Sequence, residues 1–154
     1  MEFVNLLGQT EGEGMDTRSM AQTRACEIGL EEALGEISEV MSEYTLRVLR
    51  DTQSAVIYSA SLLEASILRS RIRKREAAGV LAFIRLLWAL VSGMSVVGIM
   101  RPVEAKELFQ YIALALDALD TRCKGKAWYR EMRQNIIAGV EEGEEEEDGE
   151  DEIQ

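Results

Sequence analysis

Apolar residues recur at steps of three and four along most of the chain, the spacing that gathers them on one stripe of an α-helix. The clearest case is Leu30, Leu34, Ile37, Val40, Met41, Tyr44, Val48 and Leu49, with Glu31, Glu32, Glu36, Glu39 and Glu43 on the other faces. A second stripe, Val56, Ala60, Leu63, Ile67 and Leu68, predicts a helix from about Thr52 to Arg75. Pro102 suits the first turn of a helix and blocks a helix interior, so a new helix should begin there, with Glu104 and Glu107 favouring its N-terminal end. Leu108, Phe109, Ile112, Leu116 and Leu119 give it a stripe, and Gly125 marks its stop. Trp128, Met132, Ile136 and Val140, at strict steps of four, predict a last helix near 126–140. No segment alternates with period two over strand length, and no internal repeat is visible, so the pattern predicts an all-α protein.

One stretch departs from striping. Residues 77–100, AAGVLAFIRLLWALVSGMSVVGIM, hold a single charge, Arg85. Read as a membrane span, its eleven Leu, Ile, Phe and Val residues favour insertion by roughly 5 kcal/mol, and one central arginine costs about 2.5–3.5 kcal/mol. Glycines, serines and Trp88 erode the remainder, so insertion is marginal. Read as a core element, the run gives the amphipathic helices something to cover. Gly79, Ala82, Ala89, Gly93 and Gly98 then permit close helix approach, and Arg85 must reach solvent or pair with a neighbouring acid. The core reading explains more residues. The expected architecture is a helical bundle packed around a central apolar helix. Its expected divisions are a flexible N-terminal segment at 1–19, a bundle domain at 20–140 and a disordered acidic tail at 141–154.

Composition refines this picture in three ways. The formal charge is −11, yet ten of the 28 acids lie between Glu141 and Glu152. Setting those ten aside leaves 18 acids against 17 bases, so the folded part is almost neutral. A broad nucleic-acid-binding surface needs a cationic footprint, and nucleic acid is not the expected partner. The tail combines high charge with few apolar residues and is read as a solubilising segment. Folding back onto a basic cluster, or competing with nucleic acid for basic partners, are its alternatives. That cluster is RSRIRKR, five bases in the seven residues 69–75, read equally as a solvated helix end or as a nuclear localisation signal, an RNA contact or an anionic-lipid contact. Finally, Cys26 and Cys123 lie far apart, and the start MEFVNLLGQTEGEG lacks the features of a secretory leader. Both cysteines are read as buried, reduced thiols of an intracellular, cytoplasmic chain.

Chemistry candidates are few. The chain has no histidine, which removes the commonest general base and metal ligand. It has no Cys-x-x-Cys, no glycine-rich phosphate loop and no serine-centred elbow. Neither a catalytic residue, a metal site nor a cofactor is expected, and the chain is read as non-enzymatic.

Three local motifs resemble those of the Bcl family of apoptosis regulators. AGVLAFI, residues 78–84, resembles the family's GRIVAFF segment, which opens its central helix. TLRVLRD, residues 45–51, resembles the short death-motif helix, with Leu46 as anchor and Asp51 as acid. WYREMRQN follows the next helix where the family has a Trp-led segment. The chain departs from the family at Gly79, where an arginine is usual, and at Arg50, where the motif has glycine. The resemblance implies a survival factor, of the short divergent kind found in viruses, that captures death-motif helices of pro-apoptotic partners in a surface groove. It places Ile67, Leu68 and Ile72 on the groove wall and Arg75, Phe83 and Arg85 in contact with the partner. Arg75 takes the role of the missing arginine. The expected partner is therefore an amphipathic protein helix. A single-span membrane protein using 77–100, a nucleic-acid-associated regulator using 69–75, and a homo-oligomer stand as alternatives.

Overall fold

In a computed structural model, the described residues are 14–44 and 49–137, and they form an all-α bundle. The elements are α1 (Gly14–Ala25), α2 (Leu30–Tyr44), α3 (Leu49–Arg69), α4 (Lys74–Val96), α5 (Pro102–Arg122) and α6, helical over residues 127–137. The acidic tail, Val140 and the anchor position Leu46 lie outside the described residues. The stretch 1–19 was expected to be flexible, but α1 begins at Gly14 and buries Thr17. Residues 26–29 then separate α1 from α2.

The bundle has a different centre from the one expected. α3, not the apolar run, occupies it: α1, α2 and α5 all pack on α3, whereas α4 packs chiefly on α5. Every residue from Ser54 to Leu63 is buried, so α3 is covered on all sides. The reason is size. Ala55, Ser59, Ala60 and Ser61 keep the helix narrow, and three neighbours close around it while Leu62, Leu63 and Ile67 fill the gaps between them. Ser59, Ser61 and Ser66 bury their hydroxyls without a partner among the described residues. That is a polar cost which the close packing of α3 must offset.

Helix ends follow local chemistry. Glu76 and Glu104 each sit three residues into a helix and accept the backbone N–H of the preceding cap, Arg73 and Arg101, at 3.0 Å. The Glu104 carboxyl is held below the usual carboxylate range by its hydrogen bonds from the Arg101 side chain and backbone. α4 stops at a Schellman turn: Gly98, with φ +81°, donates to the Ser95 carbonyl, and Ile99 donates to that of Met94. Pro102 opens α5, as its fixed φ predicts.

Polar ties fix the helix order. The Glu36 carboxylate joins α1, α2 and α3, accepting from Arg24 at 3.0 Å and from the Tyr58 hydroxyl at 2.6 Å. Asp120 joins α5 to α6, accepting from Tyr129 and, at 2.7 Å, from Arg133. Burial first, then the hydrogen bond to a carboxylate, pushes the Tyr58 and Tyr129 hydroxyls far above their ordinary value of 10.0. The folded state therefore holds these two protons more tightly than the unfolded chain. Their contribution is complete below pH 10 and is lost as pH climbs beyond it. In an alkaline titration followed at 295 nm, Tyr58 and Tyr129 should ionise only with the cooperative loss of helicity. Ionisation of both near pH 10, with the circular dichroism intact, would contradict this arrangement.

Candidate functional site

α4 is a 23-residue helix, apolar enough to cross a membrane, yet 33% of its most apolar window is buried. Ala77, Val80, Leu81, Ile84, Leu87 and Val91 face inward. At the seam with α5, the rings of Trp88 and Phe109 meet with centroids 4.6 Å apart. The outward face is unusual. Arg75, Ala82, Leu86, Ala89 and Gly93 are exposed at spacings of seven, four, three and four, which aligns them along the helix. Leu86 is 63% exposed, and Val96 and Val97 extend the lane at 84% and 66%. A side-chain carbon added at Gly93 would meet nothing within 4 Å, so the lane has an open, low floor at that point. Phe83 and Leu90 border it half-buried, and Arg85 stands exposed at its other margin.

This layout redistributes the residues that sequence reasoning singled out. Ile67 is fully buried and Ile72 nearly so, because both point into the core beneath the α3–α4 corner. Neither is open to a partner as a groove wall. Leu68 is exposed on the last turn of α3. Arg75, Phe83 and Arg85 all belong to α4, and both arginines reach solvent. Arg85 therefore needs no buried acid: of the two expected outcomes, solvent or an acidic partner, it takes solvent. Cys26 is exposed rather than buried, and Cys123 is buried as expected. Leu86 and Val96 on α4, and Val97 just after it, carry the largest apolar exposure of the run, and sequence reasoning did not separate them from its core residues. The available signal was the coincidence of Ala82, Ala89 and Gly93 with Arg75 on one helical face.

A second feature adjoins the N-terminal end of this lane. A cavity of about 320 Å³ lies between the start of α4 and α6, lined by Lys74, Trp128, Glu131, Met132, Asn135 and Ile136. Lys74 brings one of the bases at 69–75 to it, and the α3–α4 corner that carries them meets the end of α5. Arg122, at the end of α5, donates a hydrogen bond to the Ser70 carbonyl in the α3–α4 corner. The turn after Arg122 brings Lys124 and Lys126, and the first turns of α6 add Arg130.

The chain matches no protein-family model, no curated protein and no solved structure. The chemistry of these surfaces, rather than kinship, must carry the functional reading.

Proposed function

We propose that the chain is a non-enzymatic interaction protein that captures an amphipathic helix of a protein partner on the outward face of α4. The observation that carries this reading is the exposure of Leu86 within a lane of alanine and glycine, with Arg75 at the lane's N-terminal end and Arg85 at one margin. Small residues let a second helix approach closely, Leu86 supplies a knob, and Arg75 or Arg85 meets an acid on the incoming helix. In its most specific form, suggested by the Bcl resemblance, the occupant is a death-motif helix and the chain is a survival factor. Arg75 then replaces the arginine that the family carries where this chain has Gly79.

Calorimetry with a panel of death-motif peptides tests the proposal. Leu86→Glu should weaken binding about tenfold or more, by placing a charge where apolar area was to be buried. Arg75→Glu should weaken it through like-charge repulsion, with a loss that shrinks as salt rises. Circular dichroism of both variants should match the wild type, because both side chains are exposed. Failure of every peptide to bind at high micromolar concentration would remove the helix-capture reading.

A second reading rests on the apolar turn that joins α4 to α5, where Val96, Val97, Ile99 and Val103 are all more than half exposed. In that reading residues 77–100 enter a bilayer and the bases at 69–75 remain on the cytoplasmic side. Carbonate-resistant membrane association would favour it over helix capture in solution.

A further inference from the structure

We propose that the basic pole built by the α3–α4 and α5–α6 corners is a docking surface for the chain's own acidic segment, residues 141–152. The sequence alone gives five bases at 69–75. The fold brings four more to the same end: Arg122, Lys124, Lys126 and Arg130. The Arg122 hydrogen bond to the Ser70 carbonyl ties the corners together, and Lys74 lines one cavity with Trp128 and Glu131. All nine cations are exposed, and none forms an ion pair with an acid among the described residues. The acids of this end are already engaged or few: Asp120 is bound to Tyr129 and Arg133, Glu76 accepts the Arg73 amide, and Glu131 lines the cavity. Nine like charges gathered at one end of a nearly neutral fold repel one another, and a polyanion relieves that repulsion.

The occupant follows from charge and tether. Residues 141–152 hold ten acids, a near match for nine cations. α6 starts at the pole, and its described part, residues 127–137, carries the chain about 15 Å along the helix axis. A 12-residue segment spans up to about 40 Å when extended, enough to return over that distance. A short tether gives the segment an effective concentration in the millimolar range, so weak individual contacts suffice. The segment then covers Arg75 and the approach to the Trp128 cavity, and it excludes other polyanions from the pole. A free nucleic acid or a second copy's tail has to displace a tethered competitor of the same charge.

The test compares the full chain with a chain ending at Val140. Backbone amide spectra at low salt should differ between the two at residues 69–75 and 122–130, and the difference should vanish near 0.5 M NaCl. It should not depend on protein concentration. The charge reversals Arg71→Glu and Lys124→Glu, combined in the full chain, should reproduce the spectrum of the shortened chain at the remaining pole residues. A single-stranded oligonucleotide should bind the shortened chain at least tenfold more tightly than the full chain. Unchanged pole amides, or equal oligonucleotide affinities, would overturn the proposal. A difference that grows with protein concentration would assign the pole to another copy's tail and overturn docking within one chain.

Discussion

Ile67→Ala should destabilise the bundle by about 3 kcal/mol, whereas Leu86→Ala should change its stability by less than about 0.5 kcal/mol. Both replacements remove large aliphatic side chains from helices, and on hydropathy alone Leu86 belongs to the more apolar of the two. Their surroundings decide the outcome. Ile67 is fully buried near the C-terminal end of the central helix, so truncation leaves a cavity lined by neighbours that cannot all collapse into it. Leu86 projects from the outward face of α4 and is 63% exposed, so truncation removes little buried area. For a domain of this size the first change corresponds to a fall in Tm of roughly 6–12 °C and the second to almost none. Urea unfolding of the two variants measures both values. Comparable losses would mean that α4 shares the centre of the bundle with α3, and the exposed lane would no longer stand as a docking surface.

The contrast between these two helices explains what the sequence could and could not disclose. Helix positions after Pro102 were legible because their signals are local: a proline opens α5, Gly125 takes a φ of +88° in the turn, and α6 carries its stripe at steps of four. The centre was not legible, because hydropathy measures what a residue would gain from burial and not which helix is narrow enough to be surrounded. α3 wins that place with Ala55, Ser59, Ala60 and Ser61, residues that score poorly as core. α1 was missed for a similar reason. Its inward positions Thr17, Ala21 and Ala25 are spaced by four but are too small or too polar to stand out as a stripe. For the candidate site, Arg75, Phe83 and Arg85 were read from the chain and lie on or beside the exposed lane of α4. Ile67 and Ile72 were read as groove wall and are core, since periodicity identifies an apolar face without telling whether a neighbour covers it. The second half of the basic pole was hidden because Ser70 and Arg122 are 52 residues apart and meet only in the fold.

Glu36→Ala should cost about 2–3 kcal/mol, and most of that cost should disappear when Tyr58→Phe is added. The carboxylate is the acceptor at which three helices meet, through Arg24 of α1 and Tyr58 of α3. Once it is removed, the two donors fare differently. Arg24 is partly exposed, keeps its 2.9 Å hydrogen bond to Glu27 and turns toward water. Tyr58 is 2% exposed, so its hydroxyl loses a charged acceptor at a position water reaches poorly. A hydrogen bond to a charged acceptor is worth about 1.5–3 kcal/mol, more than a neutral one contributes on average. Phenylalanine at 58 deletes that donor while keeping the ring in the core. In the Glu36→Ala background, Tyr58→Phe should therefore be neutral or stabilising, although in the wild-type background it should destabilise by about 1 kcal/mol. A double-mutant cycle from denaturant unfolding reads the coupling directly. Additive losses would show that the two side chains contribute independently and that the junction of α1, α2 and α3 is held by apolar packing alone.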